Sequence, residues 1–162
     1  MATKIPAYGA RAAKAPLAPL TIERRKPRPY DIEIEILCCC ICHSDVHKVN
    51  DDWASTHFLV VPGHEIVGRV TSRGASATRF QERDLVGVGY IVDSCRVCPE
   101  CRAGHEMFCE KGVTFTFDSL DQETKTWTNG GYSTKIVVDE RYVLRVPKGL
   151  QHRLDSRNAG DA

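Results

Sequence analysis

The alternation of apolar and polar residues is sharpest over Tyr30–Leu37, where Ile32, Ile34 and Ile36 interleave with Asp31, Glu33 and Glu35. A period of two puts the isoleucines on one face of an extended chain and the acids on the other, which predicts a strand with one buried face. Ile66–Val70, Leu85–Val92 and Lys135–Val146 read as further strands, punctuated by Gly63, Gly68, Gly74, Gly87 and Gly89. A thiol-rich bend from Cys38 leads into a short helical window near Ser44–Lys48. Residues 118–131, rich in Asp, Thr, Asn and Gly, predict a loop or hairpin. Many short strands with few helical windows predict a mainly β fold, a β-rich barrel.

At 162 residues the chain has room for one domain with a real core. The patterning divides it into an extended, Pro- and Ala-rich approach over 1–29, a domain over 30–150, and a polar tail over 151–162. That tail holds one large apolar residue, Leu154, and is expected to be disordered. Net charge is +1, which gives no overall electrostatic case for nucleic acid or a membrane surface. The charge is uneven: residues 1–29 carry seven Lys or Arg against the single acid Glu23. Such a basic opening has the flavour of an organelle transit peptide, but Pro6, Pro16 and Pro19 break any continuous amphipathic helix. No apolar run approaches the ~20 residues of a transmembrane helix. Eight cysteines without a secretion signal fit a reducing compartment, and the expected location is cytoplasmic.

Four of those cysteines change the picture. Cys95, Cys98, Cys101 and Cys109 are separated by two, two and seven residues, a spacing suited to one tetrahedral zinc held by four thiolates at about 2.3 Å. Buried thiols or disulfides are the other reading, and adjacent Cys-x-x-Cys arms favour metal over both. A closed four-sulfur shell has no open position, so it is structural. A zinc-ribbon nucleic-acid binder would use such a loop, but Arg96, Arg102 and Lys111 are offset by Glu100, Glu106 and Glu110, and no basic face emerges.

A second constellation lies upstream. Cys42-His43-Ser44-Asp45-Val46-His47 is followed by Gly63-His64-Glu65. Cys42, His64 and Glu65 offer a thiolate, an imidazole and a carboxylate, all acceptable to zinc, and a catalytic zinc keeps one position for water or substrate. Such an ion would acidify an alcohol; Ser44 could take the hydroxyl proton and His47, a helical turn further on, could pass it to solvent. Taken singly, each residue has a plainer role: Ser44 as a helix cap, a buried cysteine as a small core residue.

Together these residues resemble the zinc-containing medium-chain alcohol dehydrogenases, most closely the cinnamyl-alcohol-dehydrogenase-like branch. The resemblance rests on Cys42-His43-Ser44-Asp45, on Gly63-His64-Glu65-Ile66-Val67-Gly68 with Gly74, on Asp84-Leu85-Val86-Gly87-Val88-Gly89, on the four-cysteine loop, and on Gly130-Gly131-Tyr132-Ser133. It implies the chaperonin-10-like barrel of that family's catalytic domain. It further implies that Cys42, His64 and Glu65 hold a catalytic zinc and that Cys95, Cys98, Cys101 and Cys109 hold a structural one. By the same resemblance Asp45 orients the histidine ligand, Ser44 and His47 relay the proton, and His43 approaches the cofactor pyrophosphate. Trp53 stands where the family lines its substrate pocket, with core packing an equal alternative. The substrates implied are small alcohols and aldehydes, with NAD(P) as hydride carrier.

Several features depart from that family. No Gly-x-Gly-x-x-Gly opens a Rossmann unit, which is therefore expected to be absent, and no cysteine beyond Cys109 supplies the family's third catalytic protein ligand. The closing barrel strands also have no counterpart, and the tail after Leu150 reads as frameshifted or degraded. Cys40 and Arg83 stand where the family has glycine; at φ > 0 an arginine costs about 1 kcal/mol or more. These departures lead to two expectations: a catalytic-domain fragment of an NAD(P)-dependent zinc alcohol dehydrogenase, inactive by itself, or a non-enzymatic zinc-binding remnant that associates with an intact homologue.

Overall fold

The computed structural model describes residues 2–147 and 149. The first two strands, β1 (Thr3–Gly9) and β2 (Ala18–Arg24), pair antiparallel with Ile5 opposite Ile22. The expected extended approach thus folds back on itself as a hairpin. Alternation along β1 buries Ile5 and Ala7, and these pack with Ile22 on the wholly buried Val61. The hairpin is tied to the rest of the chain by Arg24. Its guanidinium donates to the carbonyls of Asn129, Gly130 and Lys135 and to Ser133 Oγ.

β3 (Asp31–Cys40) is the longest strand, paired on both sides within a five-stranded antiparallel sheet. It is followed by α1 (His43–Asn50), β4 (Glu65–Arg73) and β5 (Leu85–Val88). The predicted strand over 85–92 is interrupted at Gly89–Tyr90, so that β6 (Ile91–Asp93) leaves the sheet to pair with β7 (Thr114–Phe115). Between β6 and β7 lie the cysteine loop and its short helix α2 (Pro99–Arg102). The predicted strand over 135–146 is likewise divided. A 3-10 turn at Glu140–Tyr142 separates β8 (Lys135–Asp139) from β9 (Val143–Arg145).

That turn carries the chain across the sheet, whose order is β8-β3-β4-β5-β9, so two segments adjacent in sequence form opposite edges. The turn is anchored by buried carboxylates. Glu140 accepts from the backbone N–H groups of Thr78 and Arg79, and Asp139 accepts from Arg141 N. The main core lies on one face of the sheet and comprises Ile32, Ile34, Ile66, Val70, Ala77, Phe80, Val86, Val88, Ile136, Val138 and Val143. The fold is mainly β, as the pattern implies; the sheet is a half-barrel of the chaperonin-10-like kind that the resemblance implies.

One irregularity positions the candidate site residues. The register of β3 against β4 shifts between Ile36 and Cys38, leaving Leu37 as a bulge. A bulged residue reverses the inward-outward alternation that follows it. Ile32 and Ile34 face the core upstream; downstream it is Cys39 that packs on the core, while Cys38 and Cys40 are exposed. The expected thiol-rich bend is therefore the paired end of β3. Arg83 has φ +74°, the left-handed conformation that favours glycine. Among the described residues no helix is long and apolar enough to cross a membrane. The polar tail over 151–162 lies outside the described residues.

Candidate metal centres

The cysteine loop is built from reversals too tight for a core of its own. Its buried cluster is Cys98, Cys101 and Cys109, flanked by Cys95 and Val113. The four sulfurs lie within 4.8 Å of one another, and the Cys95 and Cys101 sulfurs are 3.9 Å apart. The edge of a tetrahedron with 2.3 Å bonds is about 3.8 Å, so the spacing fits zinc. All eight cysteines are free, which sets aside the disulfide reading for the described structure. Backbone N–H groups point at the sulfurs, from Cys98 to Cys95 Sγ and from Cys95 to Cys109 Sγ, each at 3.4 Å. The N–H groups of Val97 and Cys98 pull the Cys95 thiol down to about 6. At Cys101 the Ser94 hydroxyl pulls down, but burial and the neighbouring thiols outweigh it and push the group up to about 11.

The second cluster sits where β3 ends and β4 begins. Cys42 is the N-cap of α1, His64 precedes β4, and Glu65 is its first residue. Their donor atoms also lie within 4.8 Å of one another, with Cys42 and His64 half-buried and Glu65 exposed. Neither Cys39 nor Cys40 joins this group in its present rotamer. The His64 ring stacks on Phe117, centroids 5.7 Å apart and planes within 7°.

Asp45 assembles the cluster through the backbone. Its carboxylate is 2% exposed, and it accepts from Cys42 N at 2.8 Å, Gly63 N at 2.9 Å and Tyr132 Oη at 3.1 Å. It thereby fixes the candidate ligand Cys42 itself and the residue preceding the candidate ligand His64. The expected bond from Asp45 to the His64 ring is not among its contacts. Burial and the Asp45 charge push the Tyr132 hydroxyl well above its ordinary value. Packing here is close enough to demand glycine. Gly63 has φ +102°, and a Cβ there would stand 2.8 Å from both Cys39 Sγ and Tyr132 Cδ1. At Gly130 a Cβ would lie 2.3 Å from Pro62 O. The Cys39 thiol fills the gap beneath the cluster, and burial pushes it up to about 12.

A cavity of about 380 Å³ opens beside His64, walled by Trp53, Tyr90, Phe115 and Phe117 with Ser44 and Thr116. Ser44 Oγ is buried there without a hydrogen-bond partner. The alternative of core packing for Trp53 is settled: it is 53% exposed on the cavity wall. His47 lies toward solvent, its Nδ1 2.8 Å from Asp52 Oδ2 and its ring 5.2 Å from that of Trp53. Ser44 and His47 are on successive turns of α1 with no hydrogen bond joining them. His43 is exposed at the first position of α1, its ring 6.4 Å from that of His47.

Sequence reasoning missed one pair in this wall. Lys48 Nζ is 2.6 Å from Asp118 Oδ2, on a carboxylate with no exposed surface. Asp118 Oδ1 also accepts from His57 N, so this pair ties α1 to Asp118 along the cavity wall. Seventy residues separate the partners, and neither carries a local signal.

The chain belongs to the alcohol dehydrogenase GroES-like domain family, whose model matches residues 28–148. It is 52% identical over 143 residues to the aldehyde reductase YahK of Escherichia coli strain K12, covering 88% of this chain and 41% of that relative. Among solved structures it resembles the cinnamyl alcohol dehydrogenase SbCAD4 of Sorghum bicolor, with a TM-score of 0.87 and 39% identity over 90% of this chain and 41% of that one. A similar likeness holds for the CAD of Helicobacter pylori complexed with NADP(H): TM-score 0.86, 38% identity, 91% of this chain and 43% of that chain. The chain thus spans about two-fifths of the length of these relatives.

Proposed function

We propose that this chain is the zinc-bearing, substrate-binding portion of an NAD(P)-linked alcohol dehydrogenase that interconverts small alcohols and their aldehydes. The observation that carries this is the three-donor cluster of Cys42, His64 and Glu65, opening into an aromatic cavity where Ser44 Oγ has no partner. The donors suit zinc: one soft sulfur, one imidazole and one carboxylate leave a coordination position for substrate. When bound, the ion supplies a Lewis acid next to the substrate oxygen.

The chain's own residues do the rest. Trp53, Tyr90, Phe115 and Phe117 offer an aromatic wall to an apolar substrate body. Ser44 Oγ, with unused donor and acceptor capacity, takes or returns the hydroxyl proton. His47, held by Asp52, exchanges protons with solvent, and transfer from Ser44 requires a group bridging the two. His43, at the exposed start of α1, is available to a cofactor phosphate. The remaining metal, in the loop over 95–109, is structural. Eight free thiols suit a reducing compartment, in keeping with a cytoplasmic location.

Hydride transfer also needs a nicotinamide held against the substrate. Gly87-Val88-Gly89 does not provide a dinucleotide turn, because Gly87 and Val88 are paired within the sheet, to Val67 and Ile66. Assayed by itself, the 162-residue chain is therefore expected to bind zinc without turnover. Exposed Ile41 and Leu144, 77% and 69% accessible, are suited to association with further barrel strands or an intact homologue. Metal analysis of the purified chain tests the site. Two zinc ions are expected, one tight and one weaker, with the weaker lost in Cys42→Ala. A wild-type chain that binds only one ion, or a Cys42→Ala chain that still binds both, would refute the reading.

A further inference from the structure

Zinc takes four ligands in a closed site, and the second cluster offers three. Three more thiols, Cys38, Cys39 and Cys40, lie close by in sequence, and the strand register separates the two nearest. β3 and β4 pair with Cys39 opposite Ile66 and Cys40 opposite Glu65. Directly opposed residues of antiparallel strands project on one face, with Cβ atoms about 4.5–5.5 Å apart. Cys40 therefore shares both face and rung with the donor Glu65, whereas Cys39 shares its rung with the buried Ile66. Exposure agrees: Cys40 and Glu65 are both open to solvent, and Ile66 is 2% exposed. The Cys39 sulfur is also committed elsewhere, wedged between Gly63 and Gly131, where a Cβ on either would approach it to 2.8 Å. The Leu37 bulge creates this division, since without it the alternation would have turned Cys40 toward the core.

We propose that Cys40 is the fourth protein ligand of the second metal centre, completing a Cys40, Cys42, His64 and Glu65 shell within this chain. The proposal rests on reading Cys42, His64 and Glu65 as a zinc site. Cys40 reaches the ion by turning about its Cα–Cβ bond into another staggered well. Its thiol proton is released to solvent as the sulfur–metal bond forms. A shell of four protein ligands has no open position, so ligation by Cys40 and by a substrate oxygen exclude one another. The centre then has a closed, metal-holding form and an open form that differ by one thiolate.

Cobalt(II) and zinc binding to the 162-residue chain test this without reference to activity. The second equivalent of cobalt is followed by its sulfur-to-metal charge-transfer band, and zinc affinity by competition with a chromophoric chelator. Relative to wild type, Cys40→Ser is expected to weaken the second ion at least 10-fold and to lower its band from the two-thiolate to the one-thiolate level. Cys38→Ser, an exposed thiol opposite Val67, should leave both unchanged. Equal affinity and spectrum in wild type and Cys40→Ser would overturn the proposal while leaving the three-donor site standing, as would an equal loss in Cys38→Ser. A wild-type chain that binds only one ion would overturn the proposal together with the site.

Discussion

Replacing Asp45 by Asn keeps the side chain's shape and removes its charge, which isolates what the carboxylate does. Asp45 Oδ2 accepts from Cys42 N and Tyr132 Oη, and Oδ1 accepts from Gly63 N. An amide can satisfy only one of these two sides. With its oxygen toward Cys42 and Tyr132, its NH₂ faces the Gly63 N–H, donor against donor, in a site 2% exposed. The substitution then loses one charge-assisted hydrogen bond and leaves a buried donor unpaired, about 2–4 kcal/mol in all. With m near 2 kcal/mol/M, this lowers the urea midpoint by about 1–2 M. Because both backbone contacts flank metal donors, the second ion's affinity should also fall by about 10–100-fold, while the four-cysteine site keeps its ion. Urea unfolding followed by circular dichroism and chelator competition read the two effects separately. A midpoint within about 0.25 M of wild type together with unchanged second-site affinity would refute the role assigned to Asp45.

Other outcomes follow from the same physics. Arg83→Gly relieves a left-handed arginine, worth about 1–2 kcal/mol, against about 0.5–1 kcal/mol of added chain entropy when unfolded, so a gain of roughly 0.5 kcal/mol is expected in urea unfolding; destabilisation would contradict it. Chelating the structural metal leaves Val113 as the main apolar member of the loop's buried cluster, so limited proteolysis should cut within 96–112 while the sheet's circular dichroism persists. Resistance to cleavage would show that the loop holds without metal. Burial alone would raise the Asp139 carboxyl, but Arg141 and Arg96 outweigh it and hold the group below the usual carboxylate range. A depressed carboxylate stabilises above its unfolded value and loses that contribution as pH falls through the folded one. Asp139→Asn should thus cost about 1–2 kcal/mol at pH 7, with the difference from wild type vanishing in strong acid. A difference independent of pH would refute the pairing.

The parts of the fold that were legible in advance have local causes. Ile32, Ile34 and Ile36 announce β3 by alternation, and the cysteine spacing announces the four-thiol cluster because side chains so near in sequence need little else to meet. Strand breaks at Gly89–Tyr90 and Glu140–Tyr142 were not legible. Their causes are distant: Tyr90 O accepts from Thr116 N, and Glu140 is held by the 78–79 backbone. The bulge at Leu37 was hidden for a similar reason, since continued alternation would have buried Cys38 and Cys40 equally well on paper. In the second candidate site, Cys42, His64 and Glu65 were readable as donor types. The bonds from Asp45 to Gly63 and Tyr132 and the pair of Lys48 with Asp118 span 18, 87 and 70 positions, and only the folded chain brings them together.

The crossover at Glu140–Tyr142 also has a consequence for the order in which the chain assembles. β8 must find β3 across about a hundred residues, and Arg24 meets its carbonyl partners 105 to 111 positions away. Such closures are slow, because the entropy of a long loop is lost before its contacts form. The cysteine loop closes within fifteen residues and the Cys42–Glu65 segment within twenty-four. During synthesis both can emerge and capture metal while the final strands are still unmade. Metal loading at the two candidate sites would then precede closure of the sheet.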